Sequence, residues 1–195
     1  MNIQNQTVSW RFWGKWVLAT FLGLVVGMIL FIAVGTVAGE ALDNLPEFVF
    51  GMVIGTIFGL TFGYAQWRIL RQHIQPINAW IWTTFIGFVV GAIIIFGLMD
   101  GGNPDTSVGT KLGHGVVLGS TLGVGQWSAI RQKVSRATLW IAASIVAWII
   151  AEIVGMGLST LIGSPLDLLG LFLVGGCLPG IGMMWLLKHA SAPNE

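Results

Sequence analysis

Long apolar stretches, separated by short groups of charged and turn-forming residues, make up most of the chain. A helix that crosses about 30 Å of hydrocarbon needs about 20 mainly apolar residues. Six stretches reach this length, and they predict transmembrane helices at residues 16–39, 48–70, 80–99, 112–131, 139–162 and 165–187. The pattern therefore predicts an all-α integral membrane protein with six transmembrane helices, in which residues 1–195 form a single membrane domain.

The composition also favours a membrane location. Of the 195 residues, 55% are apolar and 9% are charged, and the mean hydropathy is +0.84. Soluble domains carry about 25% charged residues, so these values exclude a soluble monomer. Intrinsic disorder needs low hydrophobicity and high net charge, and it is excluded because the net charge is +1. Cys177 is the single cysteine of the sequence, which excludes an intrachain disulfide or a thiolate zinc cluster.

The basic residues lie almost entirely on one side of the predicted membrane. Lys111 is the exception among the nine Lys and Arg residues. The other eight fall in loops or termini on the same side: Arg11, Lys15, Arg68, Arg71, Arg131, Lys133, Arg136 and Lys188. By the positive-inside rule, both termini are predicted to be cytoplasmic.

An internal repeat becomes visible when the chain is aligned with itself. One helix ending recurs sixty residues later, pairing Gly55, Gly59, Gly63, Gln66, Trp67 and Arg71 with Gly115, Gly119, Gly123, Gln126, Trp127 and Arg131. We predict three hairpin repeats, approximately 10–71, 72–131 and 132–189, the third having Met184 in place of the glutamine. Each repeat holds two spans, so all three enter the membrane in parallel orientation. The prediction is a pseudo-threefold arrangement about an axis along the membrane normal.

Small residues recur at four-residue spacing along the predicted helices. Positions four apart advance only about 40° around a helix. Such a series forms a continuous groove in which two backbones approach closely. We predict helix packing at Gly23, Gly27, Gly51, Gly55, Gly59, Gly63, Gly87, Gly91, Gly115, Gly119 and Gly123.

Gln66 and Gln126 lie on the same faces as these glycines, near the predicted cytoplasmic ends. At 100° per residue, Gln66 lies about 60° from Gly51 and Gln126 about 20° from Gly115. Lipid exposure would leave both amides without hydrogen-bond partners. Two alternatives stay open: a polar collar at the mouth of a central path, or structural hydrogen bonds that join one hairpin to the next. The loss of the amide at Met184 favours the structural alternative.

Glu152 is the acidic residue that lies well inside a predicted span. A charge at that depth costs on the order of 2.5–3.5 kcal/mol, which makes the residue a functional candidate by default. Ser159 lies within about 20° of the same helix face. The structural alternative is a protonated carboxyl that is hydrogen-bonded between helices. His114, in the fourth span, is a further intramembrane polar candidate, although a lone histidine there is more typical of an interfacial residue than of a metal ligand.

Aromatic and basic residues near the predicted cytoplasmic ends indicate interfacial anchoring. Tryptophan rings prefer the headgroup region, and basic side chains meet anionic lipids there. The predicted anchors are Trp16, Trp67, Trp80, Trp127, Trp140, Arg71 and Arg131.

Motifs of common catalytic and nucleotide-binding sites do not occur in the sequence. It has no HExxH, no GxSxG, no GxxxxGK[ST] and no paired Asp-rich motif. The basic residues are spread over short segments and form no stripe, so nucleic-acid binding is not expected. The sequence predicts no enzyme activity, no catalytic residues, no metal site and no cofactor.

The repeated helix ending consists of Gly-x-x-Gln-Trp, then an arginine four residues after the tryptophan, and a Trp-led helix follows within about ten residues. Residues 63–71 and 123–131 carry this pattern. In this pattern the chain resembles a group of multi-pass bacterial membrane proteins, which are mainly cyanobacterial. The resemblance covers two repeats and fades in the third. It implies a bacterial cytoplasmic or thylakoid membrane, and it brings no activity or catalytic residue with it.

Two functional hypotheses follow from these observations. The first is an integral membrane scaffold or accessory subunit that packs through Gly-rich helix faces and performs no catalysis. The second is a small channel or transporter with a path between the repeats that uses Glu152, Gln66 and Gln126. The predicted partners are the lipid bilayer and, as open alternatives, other membrane-protein subunits or further copies of the chain.

Overall fold

The computed structural model of the protein describes residues 8–100, 107–162 and 166–189. They form the helices α1 (Trp10–Asp43), α2 (Glu47–Leu70), α3 (Ala79–Ile94), α4 (Val108–Ile130), α5 (Leu139–Ile162) and α6 (Leu166–Lys188). A π-helical turn, Ile95–Asp100, continues α3. The predicted all-α fold with six helices is confirmed. The first residue of the predicted span 165–187 lies outside the described residues.

Local sequence explains where two of the helices begin. α2 starts directly after Pro46, with Glu47 in its first turn and Arg68 in its last, so both charges complement the helix dipole. α4 starts after Ser107, whose Oγ accepts a hydrogen bond from the Thr110 backbone N–H at 3.3 Å. This side chain satisfies one of the free N–H groups at the helix start.

α1 is longer than its predicted span. It begins at Trp10 rather than at residue 16, and its backbone leaves helical geometry at Ala38, where φ is −122° and ψ is 19°. The additional first turns bring the basic residues Arg11 and Lys15 into the helix.

Four helices are long and apolar enough to cross a membrane. They are α1, α2, α5 and α3 with its π-helical extension, and α6 contains a shorter apolar helix from Val174 to Lys188. Among the described residues α4 does not reach the same hydropathy, because six of its 23 residues are glycine and several others are polar. The chain is therefore a helical membrane protein with multiple spans.

The helices form a closed ring in which each contacts its neighbours in the chain and α6 returns to α1. The contacts along one pair show that neighbours run antiparallel: Gly51 lies against Ala92, whereas Gly63, at the other end of α2, lies against Ile81. One end of the ring therefore holds the starts of α1, α3 and α5 and the ends of α2, α4 and α6. We call it the basic end, because eight of the nine Lys and Arg residues lie there.

Glycines bring the backbones of different hairpins together at two interfaces. A Cβ added to Gly55 would lie 2.6 Å from the Val89 Cα of α3, and one added to Gly119 would lie 2.5 Å from the Ile145 Cα of α5. Real Cβ atoms do not approach backbone this closely, so glycine is required for these contacts. The same interfaces include Gly51, Gly59, Gly63, Gly115 and Gly123.

Two glycines of α1 and two of α3 face a different neighbour, the helix that follows each of them in the chain. A Cβ on Gly23 would meet the Thr61 carbonyl oxygen at 2.9 Å, and one on Gly87 would meet the Thr121 carbonyl oxygen at the same distance. A Cβ added to Gly27 would lie 2.9 Å from the Thr61 hydroxyl oxygen, and one added to Gly91 would lie 2.8 Å from the Thr121 hydroxyl oxygen.

Two clusters of buried side chains fill the interior. The first lies at the basic end and includes Trp16, Trp80 and Trp140 together with residues of the α2–α3 and α4–α5 turns. The second consists of Leu24, Phe62, Phe88, Leu122 and Trp148. The aromatic rings of this second cluster contact one another, with centroids 5.2 Å apart for Phe62–Phe88 and 6.0 Å for Phe88–Trp148.

We predict that Gly119→Ala destabilises the protein by about 1–3 kcal/mol, the usual cost of inserting a methyl group into a close-packed interior. The added Cβ must push α4 away from α5, because the atom it meets is the Ile145 Cα. Thermal unfolding of the purified protein in mild detergent measures the effect.

Gly157→Ala is the matched control, since Gly157 also lies in a helix and has no atom within 4 Å of an added Cβ. Its melting temperature should stay the same or rise slightly, because alanine favours helix more than glycine does. Equal melting temperatures for the two variants would contradict the close approach of α4 and α5.

Candidate functional site

Three tryptophans meet on the axis of the ring near the basic end. Trp16, Trp80 and Trp140 come from the beginnings of α1, α3 and α5, and each is at most 1% exposed. Their ring centroids are 6.1 Å apart for Trp16–Trp80, 6.4 Å for Trp16–Trp140 and 5.9 Å for Trp80–Trp140. These separations are those of aromatic contact, so the indole rings fill the axis at this level.

Gln66 links two hairpins at the same level. Its Nε2 donates to the Thr20 Oγ1 of its own hairpin at 3.4 Å. Its Oε1 accepts from the Trp80 Nε1 at 3.2 Å and from the Gln126 Nε2 at 3.3 Å, and both donors belong to the second hairpin. The amide is 1% exposed and its hydrogen bonds are made within the protein.

Gln126 makes the corresponding bonds one hairpin further along. Its Nε2 donates to the Thr84 Oγ1 at 3.1 Å as well as to Gln66, and its Oε1 accepts from the Trp140 Nε1 at 3.0 Å. We call Trp16, Trp80, Trp140, Gln66 and Gln126 the Trp–Gln layer. Buried polar networks of this kind stabilise and specify a packing arrangement when their members are satisfied.

Trp16 has no glutamine beside it. On α6, Met184 directly precedes Trp185, as Gln66 and Gln126 precede Trp67 and Trp127, and it is buried in the same cluster as Trp16. Among the buried side-chain nitrogen and oxygen atoms of the described residues, the Trp16 Nε1 is the one that has no hydrogen-bond partner. Gly180, one turn before Met184, faces the Cδ1 atom bonded to that nitrogen. At the α6–α1 interface the Trp13 Nε1 donates to the Cys177 backbone oxygen at 3.0 Å, but no side-chain amide accepts from Trp16. The α2–α3 and α4–α5 interfaces, in contrast, each have a hydrogen bond from an indole to a glutamine.

Trp67 and Trp127 occupy more exposed positions than the tryptophans of the layer. The guanidinium carbon of Arg71 lies 4.7 Å from the Trp67 ring centroid, and that of Arg131 lies 5.3 Å from the Trp127 ring. Both rings are half-buried and both arginines are exposed. These four residues therefore lie at the surface of the described helices, and their role as interfacial anchors stays a prediction.

Trp16, Trp80 and Trp140 do not have the location expected of interfacial anchors. Each lies inside the ring with its neighbours packed around it, rather than facing lipid headgroups. The reason is their position on the helix, since the same face carries a second buried polar residue one turn later: Thr20, Thr84 or Ser144. The four-residue spacing places the indole and the hydroxyl on the same inward face of the helix.

His73 lies in the turn between α2 and α3, outside the membrane-spanning segments. Burial lowers the pKa of its imidazole below the usual value, and the nearby charge of Lys15 lowers this pKa further, while a hydrogen bond to the Ile69 carbonyl oxygen opposes the shift. The ring packs edge-on against Phe12 with centroids 4.9 Å apart. The lowered pKa means that the ring packs as a neutral group and does not add to the positive charge of the basic end.

The remaining polar candidates lie away from this layer along the chain. Glu152 is half-buried near the middle of α5, and His114 is buried in the first half of α4. Ser159 donates to the Met156 carbonyl oxygen one turn earlier, at 3.2 Å. Within residues 8–100, 107–162 and 166–189, no three His, Cys, Asp or Glu side chains come together as metal ligands.

Thr20, Thr84 and Ser144 are the residues of this site that the sequence reasoning did not single out. The sequence contains a signal for them, because each follows one of the three buried tryptophans by four residues. A tryptophan near a helix end also fits the membrane surface, where its N–H group needs no partner in the protein interior.

Comparison of the chain with protein-family models, with curated proteins and with solved structures gives no match. Its function is therefore inferred from the geometry of the described residues.

We predict that Met184→Gln stabilises the protein by about 1 kcal/mol, the net value of a typical buried hydrogen bond. The Oε1 of the new glutamine would accept from the Trp16 Nε1. Its Nε2 would donate to the Ser144 hydroxyl, as the Gln66 Nε2 donates to the Thr20 hydroxyl. Thermal unfolding in mild detergent measures the gain.

Two controls separate this hydrogen bond from a change in packing. Met184→Leu keeps an apolar side chain without an acceptor and should give no gain. In a Trp16→Phe background, Met184→Gln should also give no gain, because the donor is gone. A gain of the same size in that background would contradict the explanation.

Proposed function

We propose that this protein is a non-catalytic integral membrane scaffold or accessory subunit. The observation that supports the proposal best is the Trp–Gln layer: indole rings fill the ring axis, and both glutamine amides are bonded to side chains of the same chain. The indole rings and the glutamine amides of this layer thus contact one another. A scaffold needs a rigid interior of this kind, and its partners then meet the outer surface.

The proposal includes three hairpins in parallel orientation about a pseudo-threefold axis. It is supported by equivalent bonds at two positions, Gln66 with Trp80 and Gln126 with Trp140, where the donor and acceptor are separated by 14 residues in both cases. The closed ring of helices and the contact of Trp16 with both other indoles agree with such an axis. The glycine interfaces of α2 with α3 and of α4 with α5 support it as well.

We also propose six membrane spans, with the basic end and both termini in the cytoplasm of a bacterium. The distribution of basic residues supports this orientation, since eight of the nine lie at one end. The resemblance in residues 63–71 and 123–131 supports a bacterial cytoplasmic or thylakoid membrane.

The alternative function is a small channel or transporter, and the observation in its favour is Glu152, a half-buried acidic residue in the middle of α5. A path along the axis would have to pass the Trp–Gln layer, where three indoles are in contact. Gln66 and Gln126, the proposed polar collar of such a path, have their amides engaged in hydrogen bonds there. These contacts favour the scaffold.

Photo-crosslinking in native membranes tests the scaffold. A photoreactive residue replaces Leu22, Ile86 or Val146, each of which is more than half exposed on the outer face of α1, α3 or α5. We expect a discrete adduct with a second polypeptide from at least one of these positions. The inward control is Leu24, which is 1% exposed and should give no such adduct.

Ion and proton flux in liposomes provides the opposing measurement. The scaffold predicts that vesicles with the wild-type protein leak no faster than protein-free vesicles. Flux that Glu152→Gln abolishes, together with adducts to lipid alone from all three outer positions, would overturn the scaffold and favour the channel.

Cysteine labelling tests the orientation. In a Cys177→Ala background, we expect Asn44→Cys to react with a membrane-impermeant maleimide added outside intact cells. Gln75→Cys and Ser135→Cys lie in turns at the basic end, so they should react only after the cells are opened. Labelling of Gln75→Cys from outside would contradict the proposed topology.

A further inference from the structure

We propose that the two stacked pairs, Arg71 on Trp67 and Arg131 on Trp127, each bind the phosphate of an anionic phospholipid. In both pairs the arginine follows the tryptophan by one helical turn and forms the C-cap of its helix. The guanidinium carbon lies 4.7 Å and 5.3 Å, respectively, from the ring centroid. These distances are those of a cation–π contact.

Stacking leaves the binding edge of the guanidinium free. An arginine that lies on an aromatic ring uses its flat face, whereas its N–H groups point outward in a fork that matches a phosphate. At the end of α2 the backbone carbonyls have other partners: the Gln72 amide donates to the Arg68 oxygen at 3.2 Å and the Gln75 amide to the Arg71 oxygen at 2.7 Å. Within the described residues, neither stacked guanidinium donates a hydrogen bond.

Charge at the basic end calls for an anionic partner. Eight Lys and Arg residues lie there, whereas among the residues with described side chains Glu40 and Glu47 lie at the opposite end of the ring and Glu152 lies near the middle of α5. The positive charge therefore has no counter-charge within this part of the chain. An anionic headgroup supplies one, and each basic residue near such a surface contributes attraction.

The surface beside each pair favours a lipid over an acidic protein or a nucleic acid. Tyr64 contacts the Trp67 ring at a centroid distance of 5.7 Å, and one turn earlier Leu60 is exposed on the same helix. On α4, Val124 and Val116 are exposed in the same way. Each site thus combines a phosphate-binding fork with an apolar strip that runs into the membrane, which fits a headgroup followed by its acyl chain.

The third hairpin does not provide an equivalent site. His189 lies on the Trp185 ring with centroids 4.5 Å apart, so the stacked arrangement recurs. However, an imidazole lacks the guanidinium fork, and the His189 Nδ1 is 2.8 Å from the Trp185 carbonyl oxygen. We therefore expect two lipid sites, one at Arg71 and one at Arg131, and no third site at His189.

Native mass spectrometry of the full chain, released from detergent with phosphatidylglycerol or phosphatidylcholine, tests these sites. We expect the wild type to retain two phosphatidylglycerol molecules and no comparable phosphatidylcholine. Arg71→Gln and Arg131→Gln should each remove one retained lipid and weaken the apparent affinity about fivefold. The double variant should retain neither.

Arg68→Gln is the matched control, because it removes the same charge from the same helix end, at an exposed arginine outside the stacked pairs. It should change the affinity less than about twofold, since a single unstacked charge attracts only diffusely. Equal losses for Arg68→Gln and Arg71→Gln would overturn the sites and leave general electrostatic attraction.

Further measurements keep the test decisive. Arg71→Lys retains the charge without the fork and should also weaken phosphatidylglycerol retention. Wild-type retention by this variant would overturn the role of the fork.

Competition identifies the ligand class. Inorganic phosphate should not displace the lipid. Displacement by free phosphate, or tighter binding of an acidic peptide or an RNA oligonucleotide than of phosphatidylglycerol, would overturn the lipid assignment. Unchanged melting temperatures of the variants show that the fold is intact.

Discussion

The hydrogen bond from a buried indole N–H to a glutamine oxygen on the preceding hairpin is the interaction on which the packing of this ring depends. Inside an apolar bundle neither group has water as an alternative partner, so each is costly unless it meets the other. The bonds from Trp80 to Gln66 and from Trp140 to Gln126 therefore fix how α3 and α5 are rotated about their axes. A rotation of either helix by one residue would separate donor and acceptor.

The glycines make those bonds possible. A tryptophan and a glutamine on neighbouring helices can reach hydrogen-bond distance only if the two backbones lie close together. Gly63 and Gly123 lie about one turn before the two glutamines, and each faces the helix that supplies the indole. At the α6–α1 interface the arrangement is different. There, a Cβ added to Gly176 or Gly180 would first meet the side chain of Thr20 or Trp16, and the Val17 carbonyl oxygen would lie 3.8 Å from the one on Gly176. The interface without an indole–glutamine bond is thus also the one at which the closest contacts of the glycines are with side chains.

Hydropathy and spacing predicted much of this structure, since both are properties of single helices. Helix number, the grouping of Gly51 to Gly63 on one face and the inward direction of Gln66 followed from periodicity alone. The partners of Gln66 did not, because a helical wheel gives the direction of a side chain and not the identity of the residue across the interface. Trp16 shows the same limit: a tryptophan near a helix start fits a membrane surface or a bundle interior equally well, and only the neighbouring helices decide.

The packing also limits where a partner of the proposed scaffold would bind. Gly59 and Gly119 fit against helices of the same chain, so these glycine faces are already occupied and leave no surface for another subunit. Within the described part of the chain, Gly14, Gly35 and Gly157 have no atom within 4 Å of an added Cβ, and no contact there requires glycine at these positions. A scaffold built on this ring therefore has to recognise other proteins through its outer surface, while the inner glycines keep that surface in a fixed shape.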